Sequence, residues 1–375
     1  MSHLKNLSLF AICLFVFNSC AHKTSLPRKS EVIQQIHKAN TFWQTNYSPK
    51  VNAFWDNAAY HTGNMAAYRL LKDSAYLKYS IDWANHNEWK GARSVNSVDW
   101  KYKPYGEGQN FVLFGDWQIC FQTYIDLYNI DPDEKKIARA KEVMSYQINT
   151  PEKDYWWWVD GLYMVMPVMT QMYNLTGDTK FLDKLYSYWE FTNSIMYDKE
   201  EGVYFRDAKY IYPKHKTPNG KKDFWARGNG WAFAAFAKIL QDLPKTDPHR
   251  ETYIAYYQRM AEKLAECQLP EGYWSRSLLD TDYAAGYETS GTAFFTYGYL
   301  WGMNNGYLSK TKYLPVVDKA WKYLSTIALQ ENGKVGYVQP IGENAGQHKV
   351  NAETTANFGV GAFLLAATEM AKFVK

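Results

Sequence analysis

The sequence has little of what several large classes of protein require. It contains 4 cysteines, of which Cys13 and Cys20 lie near the N-terminus, so Cys120 and Cys267 are too few for a disulfide framework or a metal cluster. Its 8 histidines show no metal-ligand spacing, and it has neither a glycine-rich phosphate loop nor a Ser/His/Asp set. We therefore expect neither a metal nor a cofactor.

An excess of charge of one sign is also missing. The chain has 42 Lys and Arg residues against 38 Asp and Glu residues, a formal net charge of +4. No basic run interleaved with aromatic residues is present, which excludes nucleic acid as a partner. After the N-terminal segment, no apolar run is long enough to span a bilayer.

The N-terminal segment has the pattern of an export signal. Lys5 precedes an apolar run over residues 7–17, and Asn18-Ser19-Cys20 follows. The ending resembles a bacterial lipoprotein signal with Cys20 as the lipidated N-terminus, although simple cleavage is an alternative. We expect a signal peptide over residues 1–20, a polar tether over 21–29 and a bacterial protein that is exported, either periplasmic or anchored to the outer membrane only through its lipid.

Aromatic residues are abundant. Trp 15, Tyr 31 and Phe 19 make up 17% of the chain, more than a core needs, and such rings at a rim suit stacking on sugars. Three of them, Trp156–Trp158, precede Asp160 at the start of a helical pattern. An acid in such poorly hydrated surroundings keeps its proton near neutral pH. Taken alone, the stretch is better explained by core tryptophans and a helix N-terminal aspartate.

From residue 30 onward, helical periodicity alternates with irregular links, and strand periodicity is scarce. Short links rich in turn residues alternate with long links rich in Gly, Tyr and Trp, roughly 90–114, 197–226, 270–287 and 331–353. This predicts an all-α fold, an (α/α)6 barrel of six helical hairpins with the weakly charged even helices inside, in a single catalytic domain over residues 30–375. The predicted helices cover residues 30–45, 55–72, 74–89, 115–130, 133–150, 157–176, 178–196, 227–243, 248–269, 288–305, 311–330 and 354–374.

The inner helices of such a barrel would point their N-termini into the long-loop end, and each of them begins with a carboxylate, an arginine or a tryptophan. Any one of these residues is a common helix cap, but six in register fit a saccharide pocket. Two carboxylates are the usual minimum for cutting a glycosidic bond. The candidate catalytic residues are Asp160 and Asp116, and the candidate substrate-binding residues are Trp55, Trp158, Arg206, Arg227, Trp231 and Tyr287.

Both arginines leave alternatives open. Arg227 has the geometry to hold a ligand carboxylate in a bidentate fork, or else it caps a carboxylate of the outer ring. Trp231 follows one helical turn later, on the same face, where it is placed to stack on a sugar. Arg206 lies in the longest loop, where a solvated surface charge is the other interpretation.

Several motifs, in order along the chain, resemble glycoside hydrolase family 105, the unsaturated rhamnogalacturonyl hydrolases, and the related family 88 of unsaturated glucuronyl hydrolases. The segments that carry the resemblance are 115–117 with 121–124, 157–164, 225–231, 287–291 and 359–365. The resemblance implies an (α/α)6 barrel that removes a terminal 4,5-unsaturated uronic acid from lyase-generated oligosaccharides.

The resemblance also implies roles for individual residues. Asp160 matches the general acid and base that protonates C4 of the enol ether while water adds at C5, and Asp116 matches the aspartate that orients substrate and water. Arg227 and Trp231 match substrate contacts. The family often has a histidine at the place of Arg206, and an arginine there cannot relay protons but suits a carboxylate or sulfate.

Two other functions stay open from the sequence. A conventional inverting glycosidase on the same barrel would use Asp116 as base and Asp160 as acid on a saturated glycoside. A surface sugar-binding lipoprotein would bind oligosaccharides without turnover, although a buried Asp160 argues against it.

Overall fold

The computed structural model describes residues 26–102 and 105–375. The proposed signal peptide and Cys20 therefore lie outside the described residues. Among the described helices, none is long and apolar enough to cross a membrane. The α-helices are α1 (Lys29–Asn46), α2 (Trp55–Leu71), α3 (Ser74–His86), α4 (Gly115–Gln118), α5 (Cys120–Ile130), α6 (Ala138–Ile148), α7 (Gly161–Thr176), α8 (Lys180–Met196), α9 (Ala226–Asp242), α10 (Arg250–Glu266), α11 (Thr289–Asn304), α12 (Lys310–Tyr323) and α13 (Asn357–Phe373).

The inner helices pack against one another in a closed ring. Going round the ring, α2 contacts α13, α13 contacts α11, α11 contacts α9, α9 contacts α7, and α7 contacts α4 and α5, which return to α2. The outer helices α1, α3, α6, α8, α10 and α12 alternate with them along the chain. The predicted (α/α)6 barrel is confirmed. The limits of a single catalytic domain stay a prediction.

Burial separates the two rings as the charge pattern predicted. Every residue of α11 from Thr289 to Met303 is buried, whereas α10 buries only one side and exposes its charged face. Glycine allows a close contact between α2 and α13, because a Cβ on Gly63 would lie 2.1 Å from the carbonyl oxygen of Gly361.

Four predicted helices differ from those observed by a break or by more than three residues at one end. The one predicted over 133–150 begins only at Ala138, after a short 3-10 helix over Glu134–Lys136. The helix predicted over 115–130 is split at Ile119 into α4 and α5, and the end of the one predicted over 311–330 is a π-helical turn, Leu324–Ala328. The helix predicted from residue 157 begins only at Gly161, because Trp158 forms a β-bridge with Asp207 instead of a helical turn. Near that bridge, strands β1 (Tyr197–Asp198) and β2 (Val203–Tyr204) form an antiparallel hairpin that leads into Arg206.

Candidate active site

A cavity of about 400 Å³ opens where the inner helices begin. Seven of the eight predicted site residues line it, and they come from four inner helix starts and one long loop. These residues are Trp55, Asp116, Trp158, Asp160, Arg206, Arg227 and Trp231. Tyr287 does not line this cavity; instead its ring packs among Tyr273, Tyr323 and Tyr337.

Asp160 stands immediately before α7, with its carboxylate directed into the cavity. The Val159 amide donates a hydrogen bond to the Arg206 carbonyl oxygen at 2.8 Å, which fixes the backbone just ahead of the acid. The carboxylate does not cap its helix, and its buried Oδ1 has no hydrogen-bond partner among the described residues. Burial raises the pKa of Asp160 above its ordinary value, while Arg206 and Arg227 act against that rise. A buried acid with a free oxygen is suited to exchange a proton with a ligand.

Asp116 is the second residue of α4 and is only 4% exposed. It lines the same cavity as Asp160, so the two acids predicted to work together do meet. Burial, followed by the negative charge of Asp160, raises the pKa of Asp116 well above its ordinary value. Two neighbouring buried carboxyl groups resist double ionisation, so the pair holds a proton at a pH where an exposed carboxyl group has lost it.

Arg206 supplies a positive charge beside the two acids. Its Nε lies 3.8 Å from Asp160 Oδ2, and its guanidinium also contacts the carboxylates of Asp207 and, at 3.7 Å, Glu343. The side chain is 13% exposed, so the interpretation as a solvated loop charge is wrong. Its guanidinium carbon lies 5.9 Å from the centre of the Trp157 ring. Arg206 is therefore held at the cavity wall, where an anionic group of a ligand would meet it.

Arg227 is placed differently from the prediction. Its two terminal nitrogens donate to the carbonyl oxygens of Gln339 at 2.5 Å and Pro340 at 2.9 Å. The guanidinium also lies against the rings of Trp225 and Phe358, at 4.5 and 4.8 Å from their centres. Burial lowers the pKa of Arg227 to about 10. The terminal guanidinium nitrogens of Arg227, which were predicted to bind a ligand carboxylate or an outer carboxylate, therefore hold the loop before α13. Only its remaining N–H groups are left for a ligand.

Tryptophans form the floor and walls. Trp231 is buried and meets Trp55 edge to face, with ring centres 6.1 Å apart. Trp158 stacks on Phe114 at 4.6 Å, and a Cβ on Gly161 would lie 3.3 Å from its ring, so the glycine makes room for the indole. The cavity thus combines aromatic walls with a small number of charged and polar groups, as sugar pockets commonly do.

Sequence reasoning missed several residues that line the cavity. Trp157 belongs to the tryptophan run but is not among the predicted site residues, and Tyr105, Lys209, Glu343 and Ile341 come from long loops. Lys209 Nζ lies 3.4 Å from Glu343 Oε2 across two of those loops, a pairing between positions 134 residues apart. Local sequence carries a signal for Trp157 alone, because the loop residues have no periodicity to place them.

Comparison with known proteins shows the family of the chain. The profile of Glycosyl Hydrolase Family 88 matches residues 29–374. An unsaturated 3S-rhamnoglycuronyl hydrolase from Formosa agariphila is 34% identical over 326 residues, which cover 85% of this chain and 84% of the relative.

Two solved structures are much closer in sequence. A family 88 glycosyl hydrolase from Bacteroides vulgatus has 58% identity and a TM-score of 0.91, covering 93% of this chain and 100% of its own. A protein described as a polysaccharide lyase has 61% identity and a TM-score of 0.89, covering 92% of this chain and 98% of its own.

Proposed function

The chain belongs to glycoside hydrolase family 88, and from that premise we propose that it removes a terminal 4,5-unsaturated uronic acid from lyase-generated oligosaccharides. The single observation that carries this proposal is the pair of buried acids, Asp116 and Asp160, in one aromatic cavity beside Arg206. An acid that keeps its proton is what protonation of a carbon–carbon double bond requires.

We place the uronyl carboxylate near Arg206, which carries the charge to receive it. Trp55 and Trp231 bound the cavity with aromatic surface against which the sugar ring can pack. This orientation brings C4 and C5 toward the two acids. The role of Arg227 is indirect, since it fixes residues 339 and 340 and thereby the wall formed by the next residues.

Before the substrate binds, Asp116 and Asp160 share one proton. Asp160 faces both Arg206 and Arg227, which favour its carboxylate form, so the shared proton resides on Asp116 in the empty cavity. A bound uronate adds a negative charge and engages Arg206, which raises the pKa of Asp160. The proton is then available on Asp160, whose Oδ1 is free to deliver it to C4.

The reaction is a hydration that ends in cleavage. Asp160 gives its proton to C4, and a water molecule oriented by Asp116 adds its oxygen at C5 while its proton returns to the acid pair. C5 then bears both the ring oxygen and a hydroxyl group. This hemiketal opens to a C5 ketone, the freed ring oxygen stays on C1, and the hemiacetal at C1 expels the rest of the chain as an alcohol. No bond to the enzyme forms.

The decisive experiment measures the loss of the C4=C5 double bond from the substrate. Lyase digests of pectin, ulvan and glycosaminoglycan are incubated with the enzyme, and the ultraviolet absorbance of the conjugated double bond is recorded. We expect the absorbance to fall and, in deuterated water, one deuterium to enter C4 of the product on a single face, as seen by NMR.

Each other outcome identifies a different chemistry. Rising absorbance on an intact polysaccharide would show a lyase, which creates the double bond. Turnover of a saturated glycoside with no deuterium at C4 would show a conventional glycosidase. Tight binding of the oligosaccharide without any product would indicate a sugar-binding protein that is not an enzyme.

We also propose that the chain is exported and tethered through Cys20. The proposal is supported by the basic start, the apolar run and the small residue before Cys20. In a bacterial host, Cys20→Ala is expected to abolish incorporation of labelled fatty acid and release the protein from membranes, while Cys120→Ala retains both. Labelling that persists in Cys20→Ala would contradict the tether.

A further inference from the structure

A second cavity, of about 540 Å³, lies at the same end of the barrel. The start of α2 contributes to both cavities with consecutive residues, because Trp55 lines the first and Asp56 lines the second. Ile341 lines both as well and is 55% exposed, which makes it an apolar ridge between them. The two cavities are therefore neighbours across a single side chain.

The ridge is held in place from the side of the first cavity. Arg227 donates to the carbonyl oxygen of Pro340, and Pro340 itself lines the second cavity. Arg227 thus holds in place the loop that forms part of the wall of both cavities. A ligand chain that leaves the first cavity over Ile341 meets a surface that is already ordered.

The second cavity offers aromatic faces, amide groups and the carboxyl group of Asp56. Tyr47 stacks on Trp43 with ring centres 4.0 Å apart, and Tyr47 is 40% exposed. Asn357 Nδ2 donates to Asn57 Oδ1 at 2.7 Å and lies 3.4 Å from Asp56 Oδ2, which groups three hydrogen-bonding side chains on the wall. Exposed aromatic surface next to amide groups suits the apolar face and the hydroxyl groups of a sugar.

The charges of the two cavities differ in a way that selects ligands. Arg206, Lys209 and Arg227 line the first, whereas no lysine or arginine is among the described residues that line the second. Its ionisable groups besides tyrosine are Asp56 and His61, and burial lowers the pKa of His61 well below its ordinary value, so that histidine is neutral. A sulfate or carboxylate there would be desolvated without a counter-charge.

We propose that the second cavity is a binding site for an uncharged sugar of the oligosaccharide chain attached to the unsaturated uronyl unit. This inference rests on the proposed function and deepens it. The terminal uronate occupies the first cavity, the chain crosses Ile341, and a neutral unit packs on Tyr47 and hydrogen-bonds with Asn57. Substrates whose chain carries an anionic group at that unit bind less well.

The first test compares a long substrate with a short one. The long one is an unsaturated trisaccharide with neutral sugars, and the short one is the methyl glycoside of the unsaturated uronic acid. Tyr47→Ala is expected to lower kcat/KM for the trisaccharide about tenfold and to leave the methyl glycoside unchanged, since a stacked ring contributes to binding on that scale. Tyr47→Phe should restore the trisaccharide rate.

Tyr146→Ala is the matched control, because Tyr146 is also 40% exposed and also contacts a tryptophan, Trp100, but lines neither cavity. It should leave both substrates unchanged. An unaltered ratio of the two kcat/KM values in Tyr47→Ala would overturn the inference even if the enzyme is active. Failure of the unsubstituted enzyme to turn over either substrate would instead overturn the proposed function.

The second test changes the preference of the second cavity from neutral to anionic sugars. Ser48→Lys places an ammonium group at an exposed position of the second cavity. We expect the ratio of kcat/KM for a sulfated over an unsulfated trisaccharide to rise severalfold, whereas Ser194→Lys, on an outer groove between α8 and α10, leaves it unchanged. Equal ratios in the two variants would contradict a site for the chain in this cavity.

Discussion

Buried and half-buried carboxylates at the two ends of the barrel differ in their distance from the nearest cation. At the end where the inner helices finish, a cavity of about 250 Å³ holds Asp126 at 2.6 Å from Arg69 and Glu369 at 2.6 Å from Lys372. At the end where they begin, Asp160 lies 3.8 Å from its nearest cation and has a free Oδ1, and its charge raises the pKa of Asp116 in the same cavity.

The difference indicates which end performs chemistry. Asp126 and Glu369 each lie in a close ion pair within the protein, so both carboxylates already have a partner. A carboxyl group that is buried without a close partner costs folding free energy, and such groups are typical of functional sites. The far end also has one acid, Asp242, that has no ion pair among the described residues and whose pKa burial raises. The end where the helices begin differs because two such buried acids face one cavity there.

The largest effect is expected from Asp160→Asn, which removes the free acid at one end. An amide cannot deliver the proton, so we expect kcat to fall on the order of 10³-fold with little change in the thermal midpoint. Decay of the double-bond absorbance measures the rate. The matched variant at the other end, Asp126→Asn, should keep the rate, and an equal loss in both variants would contradict the comparison.

Asp116→Asn is expected to reduce kcat by about 10²-fold, because the remaining amide still orients water but no longer shares a proton. The residual activity should also change its pH dependence. The last proton of the pair is held on Asp116, because burial and the charge of Asp160 raise the pKa of Asp116. An asparagine cannot hold that proton, so the alkaline limb of the rate profile, where the pair loses it, moves to lower pH. A limb that moves to higher pH would contradict this electrostatic pairing.

Arg206→Gln should shift the alkaline limb of the rate profile in the opposite direction, to higher pH. The guanidinium favours the carboxylate form of Asp160, so its loss raises the pKa of Asp160 and moves the alkaline limb to higher pH. We also expect KM for the unsaturated uronide to rise about tenfold, because a charged hydrogen bond to the substrate is lost. Steady-state kinetics over a pH series measures both, and Arg69→Gln at the far end should alter neither.

The smallest effect is expected for the ion pair at the far end. Arg69 is 45% exposed on its side chain, so screening by water limits what the contact with Asp126 contributes. Arg69→Met should reduce the free energy of unfolding by about 0.5 kcal/mol and leave kcat unchanged, as measured by denaturant unfolding and the absorbance assay. A loss of activity without a loss of stability would show that the far end takes part in the reaction.

Much of this architecture could be predicted from local sequence. Helix periodicity placed α9 and α11 inside because α9 has few charges and α11 has none, and the acids at the starts of α4 and α7 were found by their position. Arg227 shows the limit of such reasoning, since its motif is local but its hydrogen-bond partners, Gln339 and Pro340, are 112 and 113 residues away. Tyr287 shows the same limit, because its helix start was predicted but not the direction of its ring.

The sequence by itself determined the ring of helices and the presence of acids at its mouth, because helix formation and burial follow from residues a few positions apart. Only the tertiary structure decided which charges meet. Whether Asp160 remains without a close partner, whether Arg227 holds a loop, and where Ile341 divides two cavities all depend on long loops that have no period. Their positions are set by contacts between residues far apart in the chain, and those contacts determine the electrostatics of the site.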